Sequence, residues 1–183
     1  MVRLRIICGL HILTPITMNE KLDSSKNNGP HAQLARLVGE WEGTTKVWFE
    51  PDKVADESPV RATMRLVLDG RFILHEYKGS FGGNALEGVA LYGYHLELGH
   101  FQTTWIDSFH NGTAMMFSEG IRKSENFNVL GGYTYVADSV ETRWGWRTEV
   151  EVLSDVEVRI TAYNISPDGE EARATETNYR RVQ

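Results

Sequence analysis

From Gly39 to the C-terminus the chain is built of short runs in which β-branched and aromatic residues alternate with polar ones. Turn residues cut these runs at intervals of about 8–12. The runs predict strands at 40–49, 60–68, 71–79, 85–94, 100–108, 112–119, 126–133, 142–152, 155–165 and 171–182. The breaks carry turn chemistry: Glu50-Pro51-Asp52, Asp69-Gly70, Gly82-Gly83-Asn84, Glu97-Leu98-Gly99, His110-Asn111-Gly112 and Pro167-Asp168-Gly169. Asp69-Gly70, between Leu68 and Arg71, reads as a type I′ hairpin, which needs positive φ at both central residues. No helical pattern intervenes to make parallel crossovers. An all-β, up-and-down antiparallel barrel of about ten strands follows. At its start, Gly39-Glu40-Trp41-Glu42-Gly43 places an indole to close one end, between glycines that let backbone pass close by.

Upstream of Gly39 the period is helical. Leu34, Leu37 and Val38 share a face, so a short N-terminal helix is expected over 31–38, lying across one end of the barrel. Residues 19–30 are polar, with Ser24, Ser25, Asn27, Asn28 and Gly29 clustered, and read as a linker with too little apolar surface to fold. The expected organisation is a tail over 1–30 and one domain over 31–183. Within the tail, Met1 to Arg5 is basic and Ile6 to Ile16 mostly apolar. That order suits a secretory signal, but no small-residue cleavage site follows, and the run is too short for a transmembrane helix. The alternatives are a flexible tail or a true start at Met18. These place the protein in the cytoplasm, whereas a signal over 1–17 would place it in the periplasm or outside the cell.

The 183 residues carry a formal net charge of −6 with the two signs mixed, which argues against a nucleic-acid partner. A single cysteine, Cys8, excludes an internal disulfide framework. The histidines show no metal-ligand spacing, so no metal site is expected.

Three clusters invite a functional reading. Trp105, Asp107, Ser108 and His110 contain the residue types of a hydrolase triad. Adjacent Asp107 and Ser108 point to opposite faces of a strand, however, and no nucleophile elbow surrounds the serine. The competing reading puts Trp105 and Asp107 on the inner face and makes His110-Asn111-Gly112 a turn. Arg71, His75 and Tyr77 share a face, with Glu76 on the other. If that face is the lumen, Arg71 would bind an anionic head group; otherwise it is structural. Trp144 and Trp146 alternate with Arg143 and Arg147, so the tryptophans are core or pocket cap, and the arginines pair with Glu141 and Glu149 or face inward toward an anion.

Leu37-Val38-Gly39-Glu40-Trp41-Glu42-Gly43, Leu68-Asp69-Gly70-Arg71-Phe72, Glu87-Gly88 with Leu91-Tyr92-Gly93-Tyr94, Trp105-Ile106-Asp107-Ser108 and the terminal Asn178-Tyr179-Arg180-Arg181 together resemble a known family. It is the lipocalin-like (calycin-type) bacterial domain-of-unknown-function family 1579, and the similarity spans about residues 34–182. The resemblance implies a lipocalin or fatty-acid-binding-protein-like barrel with a pocket, and it carries over no catalytic residue. The wider group of ten-stranded barrels includes haem binders. Haem needs a proximal histidine inside the barrel. His75, His95, His100 and His110 exist, but none lies late in the chain, where that pattern places its ligand, so no cofactor is expected and haem is the minor alternative.

The reading is a non-enzymatic protein holding a small apolar or amphipathic molecule in its lumen. The candidate lining is Trp41, Met64, Arg71, His75, Tyr92, Trp105, Asp107, Met115, Phe117 and Arg143. One alternative is an isomerase or hydrolase using His75, Asp107 or Glu76 as acid or base. Another is a structural module whose barrel is filled by its own side chains, with homodimerisation through an outer face left open.

Overall fold

The computed structural model describes residues 17–183. The readings of the basic-apolar N-terminus and of Cys8 therefore concern positions outside the described residues. Helix α1 (Met18–Asn28) and helix α2 (Pro30–Ala35) precede ten strands. These are β1 (Gly39–Glu50), β2 (Lys53–Val67), β3 (Phe72–Phe81), β4 (Asn84–His95), β5 (His100–Asp107), β6 (Met116–Gly120), β7 (Phe127–Ala137), β8 (Val140–Val152), β9 (Glu157–Ile165) and β10 (Glu171–Arg181). Every strand pairs antiparallel with its sequence neighbours, and β1 closes on β10, giving the up-and-down barrel expected.

The segment read as a linker is helical. Thr17 caps α1: its hydroxyl accepts from the Glu20 amide, and Glu20 accepts from the Thr17 amide at 2.7 Å. This capping box supplies start-of-helix hydrogen bonds that composition alone conceals. The helix is tied down by Leu22 and Ser25, both buried, and by ion pairs from Lys21 to Glu97 (2.8 Å) and Lys26 to Asp69 (2.9 Å).

Both helices lie at the end formed by the β2–β3 and β4–β5 turns. In the first of these the pairing stops at Val67↔Phe72, and Leu68, Asp69 and Gly70 all take positive φ (50°, 57° and 72°), so the loop is four residues long where a two-residue hairpin was expected. Trp41 plugs this end. It is 1% exposed, its Nε1 donates to the Leu37 carbonyl at 2.8 Å, and the Arg181 guanidinium covers its ring at 4.2 Å. Arg181 also donates to the carbonyls of Val38, Arg36 and Asp155, tying the last strand to the chain that leads into the first. Below the plug, Met64, Ile73, Phe101, Phe127, Val129 and Val158 fill this end of the barrel.

Alternation sets the inward face elsewhere. Across the β2–β3–β4–β5 sheet, Met64 pairs with His75, His75 with Ala90, and Ala90 with Trp105, all inward. Beyond Arg61↔Lys78 the pairing of β2 with β3 ends. Pro59, which lacks an N–H, sits in that stretch, where β2 is paired to β1 alone.

Candidate functional site

The half of the barrel away from the helices is not filled. A cavity of about 110 Å³ lies there, reaching from the phenols of Tyr77, Tyr92 and Tyr179 to the loop after β5. Its walls hold the inward hydroxyls of Thr45, Thr103, Ser118, Thr148, Thr175 and Thr177. Stacked Trp105 and Trp146, 5.2 Å between ring centroids, form one side. Thr45 and Thr177 hydrogen-bond each other at 2.8 Å, but Ser118, Thr148 and Thr175 find no side-chain hydrogen bond among the described residues. The only fully buried side-chain N or O without a partner among those residues is His100 Nδ1, so these wall hydroxyls are open to the cavity.

The floor is a closed polar network. His75 is 3% exposed; its Nδ1 meets the Tyr92 hydroxyl at 2.9 Å and its Nε2 the Tyr179 hydroxyl at 3.3 Å. Burial holds the imidazole down to about 3, so it is neutral at physiological pH. Burial also pushes the Tyr92 and Tyr179 phenols up, keeping them protonated. With both nitrogens occupied, His75 is a structural hub, without a free lone pair for acid–base work.

The mouth is organised by Asp107. Its fully buried side chain accepts from the backbone amides of Phe109 (3.3 Å), His110 (2.7 Å) and Asn111 (2.8 Å), and lies 2.6 Å from His110 Nδ1. Burial works to raise the Asp107 carboxyl. The hydrogen bond and charge of His110, with the amides of Asn111 and His110, outweigh it and hold the group below its ordinary value. The chain after β5 therefore folds back over the barrel. The His110 ring reaches 5.4 Å from Trp105 and 5.9 Å from Trp146 and lines the cavity. Trp105 Nε1 donates to the Tyr77 hydroxyl at 2.9 Å, which braces the same corner.

Of the expected lining residues, Trp41, Met64, His75, Tyr92, Trp105 and Asp107 point inward, though Trp41 and Met64 belong to the filled end. Four do not. Arg71 sits in the β2–β3 turn, where its guanidinium donates to the Leu68 carbonyl and meets Asp69 at 3.3 Å. Met115 (78% exposed) and Phe117 (53%) face outward, because β6 begins at Met116 and its inward residues are Met116 and Ser118. Arg143 is exposed on the outer face of β8, and Arg147, likewise outward, pairs with Glu149 and Glu171. Glu76 is also outside, 3.5 Å from Arg65. Asp107 and Ser108 do point to opposite faces, since Ser108 Oγ accepts from the Glu87 amide. The sequence reading missed His110 as an inward residue and missed the hydroxyl wall.

A wider depression of about 1080 Å³ lies on the outer face of β2–β5. It meets the cavity across Pro59, Val60, Gly79 and Ser80, where β2 and β3 part. Its floor carries ion-paired side chains such as Lys78 and Glu87, 3.5 Å apart, and is a solvated sheet face. No group of His, Cys, Asp and Glu among the described residues is arranged to hold a metal ion, and no helix among them is long and apolar enough to cross a membrane.

Among solved structures, the chain is similar to a de novo designed fluorescence-activating β-barrel (TM-score 0.41, 14% identity, covering 81% of this chain and 96% of that one). It is also similar to a protein of unknown function from the DUF3598 family of Nostoc punctiforme PCC 73102 (TM-score 0.38, 13% identity, covering 82% of this chain and 49% of that one). Neither likeness bears on what this chain binds. No curated protein matches the sequence. The profile of the family described as "protein of unknown function (DUF1579)" matches residues 26–181, and the chain belongs to that family.

Proposed function

We propose that this barrel is a binding protein for a small, uncharged molecule that carries hydrogen-bonding groups, held in the cavity between the phenol floor and the His110 mouth. The observation that carries this reading is the unpartnered hydroxyl wall. Ser118, Thr148 and Thr175 make no side-chain hydrogen bond among the described residues and are open to the cavity, so they are free to hydrogen-bond a guest there. No lysine or arginine lines the cavity, so an anionic head group finds no counter-ion there, and the early expectation of arginine recognition is replaced. The stacked tryptophans in the cavity wall favour a flat ring as guest.

The volume sets the size. At about 110 Å³ the cavity is below the roughly 300–1,000 Å³ of drug-sized sites, and close to the space that holds one aromatic ring. Native mass spectrometry of the full chain purified from its source tests the proposal. The expected result is a small neutral molecule released on collisional activation. A bare protein under mild conditions, together with no stabilisation by any small uncharged aromatic, would overturn it.

A further inference from the structure

The hydroxyl wall explains binding, but it leaves the arrangement at the mouth unexplained. A turn needs no buried carboxylate 2.6 Å from an imidazole, nor an imidazole laid against two tryptophans. Asp107 occupies Nδ1 of His110 and, being ionised, fixes the proton on that nitrogen. In the neutral ring the lone pair then lies on Nε2, which makes no hydrogen bond among the described residues although the ring lines the cavity. An oriented imidazole with a free Nε2, beside a pocket and next to solvent, has the geometry of a general base. No serine, threonine or cysteine of the described residues hydrogen-bonds that nitrogen, so the proton it takes comes from water.

Resting on the binding reading above, we infer that His110 is a general base for hydrolysis of small, uncharged, single-ring carboxylic esters, with Asp107 as its positioning residue. With no lysine or arginine in the lining and the Asp107 carboxylate at its mouth, the cavity favours a neutral ester over an anionic one, and the wall hydroxyls are the donors available to its carbonyl oxygen. In the first step Nε2 takes a proton from water as the water oxygen bonds to the carbonyl carbon, and the carbonyl π pair moves onto oxygen. When that pair returns, the bond to the leaving oxygen breaks and the proton on Nε2 passes to it. One water is consumed, one acid and one alcohol are formed, and nothing is oxidised or reduced. Asp107 stays ionised throughout and holds the transient imidazolium.

The test uses the full chain with phenyl acetate as substrate and phenol as the non-reacting probe. The expected result is saturable hydrolysis slowed in heavy water. His110→Gln should lower kcat by about 100-fold or more, with KM changed by less than about threefold. Asp107→Asn keeps the oxygen that accepts from the three backbone amides but turns an NH2 donor toward Nδ1, which moves the imidazole proton to Nε2. It should lower kcat similarly while leaving phenol binding intact. His95→Gln, a histidine away from the cavity, should leave the rate unchanged. Ser118→Leu keeps the Asp107–His110 pair and fills the pocket, so its loss of hydrolysis places the reaction in the cavity even if a His110 variant misfolds. If phenol binds saturably but phenyl acetate is cleaved no faster than by His110→Gln, the catalytic inference falls and the binding reading stands. If phenol does not bind either, both fall. A stoichiometric burst of phenol release would also overturn the inference, since it would mean a covalent intermediate in place of a water attack.

Discussion

Burying His75 makes the fold sensitive to mild acid. The folded protein holds the imidazole neutral between the Tyr92 and Tyr179 hydroxyls, down at about 3 against an ordinary value of 6.5. Its folded value is depressed, so between 6.5 and about 3 the unfolded chain binds a proton that the native chain refuses, and stability falls as pH falls through that window. Each pH unit crossed there costs about 1.4 kcal/mol. Acidifying from about pH 7 to about pH 5 should therefore remove about 2 kcal/mol through this residue. Carboxylates contribute little above their own range, which keeps the window clean. His31, whose value burial also lowers, adds a smaller term of the same sign. Urea unfolding followed by tryptophan fluorescence at several pH values measures the effect. His75→Gln should lower stability at neutral pH, because one phenol loses its partner, and should flatten the slope between about pH 6.5 and about pH 5. A variant that is weaker but retains the full acid slope would refute the reasoning, as would a wild type whose stability is flat across that range.

Other consequences are local. Gly88→Ala places a methyl group onto the Tyr77 ring and hydroxyl; it should break the Trp105–Tyr77 bond and cost about 1–3 kcal/mol, seen as a change in near-ultraviolet circular dichroism. Arg181→Met removes the ties to three carbonyls and the cover over Trp41; a loss of about 2–3 kcal/mol in denaturant unfolding is expected. Thr17→Ala should cost about 1 kcal/mol and raise amide exchange in α1 while the barrel stays protected.

The barrel was legible because two signals agreed over most of its length. Alternation placed Val158, Ile160 and Ala162 on one face, and Asp69-Gly70, both at positive φ, marked the turn between β2 and β3. Phase failed where apolar residues occupy both parities. In Ala114-Met115-Met116-Phe117 a period of two fits either choice, and the strand starting at Met116 decides it. The helix α1 was concealed by a polar composition, although Thr17 and Glu20 stand at capping-box spacing. The hydroxyl wall was illegible for the opposite reason. Threonine alternating with charged residues, as in Thr175-Glu176-Thr177, gives no apolar face to assign, and inward orientation emerges only from pairing with Ala162 and Ile160. His110 read as a turn residue, and its return over the cavity depends on the buried Asp107 carboxylate, a contact that strand periodicity does not encode.

The central claim, an occupied cavity for a small uncharged molecule, is tested most directly by titrating the protein with phenol and with benzoate while following fluorescence of Trp105 and Trp146. The account predicts saturable quenching by phenol that disappears in a folded Ser118→Leu variant, and much weaker binding of benzoate, which finds no lysine or arginine in the cavity and meets the Asp107 carboxylate. Equal binding of the two, or phenol quenching that persists when the cavity is filled, would contradict it.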